Sequence, residues 1–137
     1  MTYVMLVGSD VALLEGLSQS LASQGHRLTV SVTLDEARRI ATAHPPLILV
    51  AERSMASSAG AELLALPIAG GGARILYRLA SEAPVPLLPA LQRAVLADLT
   101  LPLERQRFAA LCQSVIDRAK TTGRAPRDTP PDMRALP

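Results

Sequence analysis

The amino-acid sequence predicts an α/β domain in which five parallel strands alternate with five helices. The strands form a doubly wound sheet of order 2-1-3-4-5 between two helical layers, a three-layer sandwich. Two observations carry that expectation. Short apolar runs alternate along the chain with segments whose leucines and alanines recur every three or four residues, the side-chain periods of strands and helices respectively. The run Leu47 to Ala51 contains no polar residue, as expected of a strand buried on both faces of a parallel sheet. Right-handed crossovers then place helices on both faces.

Each element has its own signal. Tyr3 to Val7 is a β-rich run ending at Gly8, and Ser9 or Asp10 caps a helix carried by Leu14, Leu17 and Leu21 and stopped at Gly25. Leu28, Val30 and Val32 alternate as a second strand. Thr33 and Glu36, three residues apart, read as a capping box for a helix through Ala37, Ile40 and Ala41, which Pro45 and Pro46 close. Strand three follows, and Gly60 to Leu66 makes a short helix. Gly70, Gly71 and Gly72 form a connector: they follow a helix and precede a strand, the reverse of a phosphate-cradling loop. Ile75 to Leu79 is strand four. Pro84, Pro86 and Pro89 delay the fourth helix, since proline is tolerated only in a first turn. Leu96 to Leu101 gives strand five, and Phe108, Leu111, Cys112 and Val115 mark a last helix ending near Lys120.

Composition narrows the function. The 137 residues, 49% of them hydrophobic, suit one core. Residues 1–120 form the domain, and 121–137, with Pro126, Pro130, Pro131 and Pro137 among polar residues, read as a linker or disordered tail. A net charge of +2 provides no basic stripe for nucleic acid. No apolar run approaches the ~18 residues of a membrane span, and the start of the chain has no charged leader, so a cytoplasmic location is expected. A lone Cys112 on an apolar helix face reads as core, and His26 and His44 lack partners at metal-ligand spacing, so neither metal nor cofactor is expected.

The segment PLILVAERSMASSAG, from Pro46 to Gly60, resembles the third-strand signature of bacterial response-regulator receiver domains, P-D-L-I-L-L-D-L-x-M-P-x-x-x-G. Glu52 falls six residues after Pro46, with Met55 three and Gly60 eight residues beyond it. The interval from Ser9 to Gly25, and Ala80 and Pro102 after strands four and five, also match. The resemblance spans residues 3 to about 119 and implies the flavodoxin-like receiver fold.

A phosphorylating receiver needs an acidic pair for Mg²⁺, an aspartate nucleophile, a Thr or Ser after strand four and a Lys before the proline after strand five, so that metal and lysine neutralise the phosphoryl charge. At those positions this chain has Gly8 and Ser9, Glu52, Leu79 and Leu101, with Asp10 just after the pair. The resemblance therefore implies a degenerate pocket of Gly8, Ser9, Asp10, Glu52, Leu79, Leu101 and Pro102. Its crevice is expected to be partly apolar, with a cis bond accessible at Leu101–Pro102. Glu52 is either a mimic of a phosphorylated aspartate or a solvated loop acid. The family's switch aromatic on strand five corresponds to Asp98.

The expected function is that of a pseudo-receiver: a phosphorylation-independent, non-enzymatic interaction domain of a bacterial signalling or transcriptional regulator, with an effector domain downstream. Receivers commonly dimerise or meet partners through helix four, strand five and helix five. The corresponding candidates are Leu87, Leu88, Leu91 and Asp98, with Glu104, Arg105 and Arg107 as rim charges; alternatively the leucines pack on the sheet. A second reading is a flavodoxin-like module binding a small ligand or nucleotide at the strand carboxyl ends, though GSDVA after strand one lacks a glycine fingerprint.

Overall fold

Val4, Leu6, Ile48 and Val50 belong to one apolar cluster and their strand neighbours Met5, Val7, Leu49 and Ala51 to another, all at most 1% exposed. A two-residue side-chain period covered on both faces produces this arrangement. The computed structural model describes residues 3–56, 60–82, 86 and 88–128, the last eight by their backbone alone.

Among the described residues the strands are β1 (Tyr3–Val7), β2 (Arg27–Ser31), β3 (Ile48–Glu52), β4 (Ala73–Leu79) and β5 (Ala97–Leu101). All pair in parallel, in the order β2-β1-β3-β4-β5. The helices are α1 (Val11–Ala22), α2 (Leu34–Ala43), α3 (Ala61–Leu64), α4 (Pro89–Ala94) and α5 (Arg105–Asp128), with a 3-10 turn at Arg53–Met55. Leu14, Leu17 and Leu21 of α1 and Phe108, Cys112, Val115 and Ile116 of α5 cover one face of the sheet. Ala37 and Ala41 of α2, Leu63 of α3 and Leu91 of α4 cover the other. Burial pushes the Cys112 thiol up to about 12, consistent with a core residue.

Local chemistry sets the helix starts. Asp10 caps α1, its Oδ1 accepting from Leu13 N–H at 3.1 Å, and Thr33 caps α2, its Oγ1 accepting from Glu36 N–H at 3.1 Å. Pro89 occupies the first turn of α4. Gly60 has a φ of 72°, and a Cβ there would come 2.5 Å from Leu91 Cδ2, so α4 docks on a backbone that only glycine leaves open.

Several details differ from the sequence expectation. The third helix spans four residues instead of starting at Gly60. β2 is an edge strand that ends at Ser31, short of Val32, so Val30 and Val32 stay 36% and 48% exposed despite their alternation. α5 continues to Asp128, past Lys120, because a helical backbone propagates beyond the point where its apolar face ends. Residues 129–137 lie outside the described residues. Among the described residues no helix is long and apolar enough to cross a membrane.

Candidate functional site

A parallel sheet brings all its strand carboxyl ends to one side, so Gly8 after β1, Glu52 ending β3, Leu79 ending β4 and Leu101 ending β5 meet along one rim. The register fixes the neighbours: Val7 opposes Ala51, Glu52 opposes Tyr77, and Leu79 opposes Leu101. The Leu101–Pro102 bond is cis.

Glu52 is not a solvated loop acid. It is 1% exposed, because β3 runs one residue further than its apolar stretch and carries the carboxylate inside the rim. Its Oε1 accepts from the Ser9 backbone N–H and the Ser9 hydroxyl, both at 2.8 Å, and its Oε2 accepts from the Ser54 hydroxyl at 2.6 Å. Burial pushes the carboxyl up. The hydrogen bonds from Ser54 and Ser9, with a smaller contribution from Glu82, more than offset this and hold it below the ordinary carboxylate range. Glu52 is therefore an ionised buried acceptor, with both oxygens engaged by serines.

The centre of the rim holds a residue that sequence reasoning missed. Tyr77, on β4, is fully buried, and its hydroxyl sits over Gly8, where a Cβ would come within 2.0 Å of the phenol oxygen and 3.3 Å of Glu52 Oε1. Its hydroxyl has no hydrogen-bond partner among the described residues. Burial first, then the charges of Glu52, Asp10 and Glu82, push its ionisation far above that of a free phenol, so it stays protonated. The signal in the sequence was a tyrosine two residues before Leu79, on the same strand face as Leu79, combined with a residue lacking any side chain at position 8.

The donor set does not fit a divalent cation. Gly8 and Ser9 supply no carboxylate, Glu52 is engaged by Ser9 and Ser54, and Asp10 caps α1. Among the described residues no group of three or more His, Cys, Asp and Glu side chains is placed to hold a metal. The crevice is closed by Tyr77, with Leu101 fully buried and Leu79 partly buried beside it.

On the other side of β4, Arg53 Nη1 meets Asp98 Oδ2 at 3.0 Å, the two side chains being 13% and 33% exposed. Asp98 is thus held by an ion pair to the residue following Glu52. Burial raises the Asp98 carboxyl above its ordinary value, although Arg53 and Arg78 oppose it. Glu104 Oε1 accepts from Thr100 N–H at 2.7 Å, and its Oε2 pairs with Arg107 at 3.1 Å, while Arg105 is exposed.

Of the candidate surface leucines, Leu88 is 49% exposed, with Leu103 nearby in sequence to β5 at 77%. Leu91 belongs to the core: it is 4% exposed, because a six-residue helix turns its single leucine onto Gly60 and the sheet. Leu87 lies outside the described residues.

No family model and no curated protein sequence matches the chain. Solved structures do. A signal receiver domain from Vibrio parahaemolyticus is similar at a TM-score of 0.72 and 17% identity, over 90% of this chain and 96% of that one. A CheY-like response regulator receiver domain protein from Methanospirillum hungatei is similar at 0.67 and 18% identity, over 88% and 98%. A structure from Rhodopirellula baltica named as adenylate cyclase is similar at 0.67 and 17% identity, over 94% and 100%. The fold is that of CheY-like receiver domains.

Proposed function

We propose that this chain is a receiver-like regulatory domain that works by protein contact without being phosphorylated, within a bacterial signalling or transcriptional regulator. The observation that carries this reading is the Tyr77 ring seated over Gly8 beside a Glu52 that Ser9 and Ser54 already satisfy. A phosphoryl group needs space, a metal and a cation at that place, and the residues there offer none of the three. The same filling argues against a nucleotide at the strand ends. The reading assigns no reaction and no cofactor to the chain.

The contact surface in this reading is α4, β5 and the start of α5. Leu88 and Leu103 are exposed there, with Arg105 and the Glu104–Arg107 pair as a polar rim. A second copy or a partner protein covers it, and the segment from residue 121 leads toward an effector. Sedimentation of the intact chain, with and without Leu88→Asp plus Leu103→Asp, tests the contact; association unchanged by both substitutions would count against it. Incubation with acetyl phosphate and Mg²⁺ followed by intact-mass measurement tests the chemistry. A gain of one phosphate on a rim residue overturns the reading.

A further inference from the structure

Two consecutive residues of the 3-10 turn Arg53–Met55 bond to different parts of the molecule. Ser54 holds the rim: its hydroxyl donates to Glu52 Oε2 at 2.6 Å, with Glu82 Oε2 3.4 Å away. Arg53 holds β5: its Nη1 donates to Asp98 Oδ2 at 3.0 Å. β4 lies between β3 and β5 in the sheet, so those two strands share no ladder and the turn reaches β5 by a side chain. The Arg53 side chain is mostly buried along that path, whereas Asp98 stands among the exposed residues of β5.

The two bonds differ in kind. A hydroxyl donating to an ionised carboxylate makes one of the shorter and stronger hydrogen bonds, so Glu52 fixes the turn firmly. The ion pair is partly exposed and contributes little stability by itself. Its effect is one of position: it sets where the Asp98 carboxylate stands on the face formed by α4, β5 and α5. Arg78 and Glu104 also act on Asp98, and Arg78 Nη1 donates to the Glu82 carbonyl at 3.0 Å, which makes β4 the competing route from the rim.

We propose that the turn after β3 is a strut through which the strand-end rim sets the contact face on β5. Glu52 fixes Ser54, Ser54 fixes the turn, and Arg53 acts as the positioning residue for Asp98. This inference rests on the contact surface proposed above and names what governs it. Because Glu52 stays ionised and bonded, the face is held in one setting with no phosphoryl group to change it. Hydrogen bonds and ion pairs carry coupling of this kind when both ends bias one element, here the turn.

The test reads amide resonances of the isotope-labelled intact chain at a concentration where sedimentation shows it unassociated. Ser54→Ala cuts the bond to Glu52 at an exposed position. The expected result is one group of shifts at Glu52–Met55 and a second at Ala97–Leu99, on the far side of β4. Made in an Arg53→Met background, Ser54→Ala should lose the second group. In Arg53→Lys, which keeps the charge, part of it should return, and in Arg78→Met it should persist. Added salt should shrink it, since the ion pair is partly exposed. Unshifted resonances of β2 and α2 report intact folding in each variant. Shifts confined to the rim overturn the proposal, as does a β5 response that survives Arg53→Met. The spectra are read without association, so their failure is distinct from failure of the Leu88 and Leu103 contact, which sedimentation reports.

Discussion

The Tyr77 hydroxyl occupies the space where a side chain on Gly8 would begin, 2.0 Å from the position of its Cβ. The absence of a side chain after β1 and the ring on β4 are thus two halves of one packing solution. A side chain at position 8 and the ring exclude each other, which is why the rim is closed.

Gly8→Ala should lower stability by about 1–3 kcal/mol, the cost of overpacking a filled site. Tyr77→Phe should leave stability unchanged or raise it by about 1 kcal/mol, because it removes a buried hydroxyl that has no partner among the described residues. Urea denaturation of both variants checks this. A clear loss in Tyr77→Phe would show that the phenol is hydrogen-bonded.

Glu52→Gln should cost about 1.5–3 kcal/mol at neutral pH, because it exchanges charged-acceptor hydrogen bonds for weaker ones in a buried place. The sign of the pH dependence follows from the direction of the shift. A carboxyl held lower in the folded state than in the unfolded chain adds stability above the unfolded value, and that stability is lost as pH falls through the folded one. Urea midpoints measured downward from neutral pH should show an acid-side decline below about pH 4.5 that is shallower in Glu52→Gln.

Leu101→Lys should gain no phosphate on incubation with acetyl phosphate and Mg²⁺, and neither should the native chain. A lysine restores one charge while Tyr77, Ser9 and Ser54 keep the space and the carboxylate occupied. Intact-mass spectra of both proteins are the measurement, and a phosphorylated Leu101→Lys variant would show that the closed rim opens readily.

Asp98→Asn should change stability by no more than about 1 kcal/mol in either direction, since the cost of burying the carboxylate offsets its partly exposed pair with Arg53, and the difference should shrink with added salt. Thermal unfolding at low and high ionic strength reads it. A larger, salt-insensitive loss would show that Asp98 acts through packing.

The layers of this fold were legible because strand and helix periods are local: each core strand and the capping residues Asp10 and Thr33 can be read from a few neighbours. The strand-end positions were legible as well, because parallel topology gathers them whatever their chemistry. Tyr77 was not, because an aromatic in a strand reads as ordinary core, and only its depth along the strand, set by a side chain missing from a different strand, makes it a plug. Whether Leu91 faces solvent or packs on the sheet was not legible, because six residues of helix provide too little period to orient one leucine. The burial of Glu52 depended on β3 extending by one residue, a boundary that pattern alone does not resolve.

The chain has two tyrosines and no tryptophan, so its near-ultraviolet signal reports almost entirely on Tyr3 and Tyr77. One of these chromophores is the plug itself. A phenol whose ionisation is raised in the folded state stabilises the fold below about pH 10, and that contribution fades as pH climbs beyond. In an alkaline titration Tyr77 should therefore convert to phenolate together with loss of the fold and not before it. The protein thus carries its own optical gauge of whether the strand-end rim is shut.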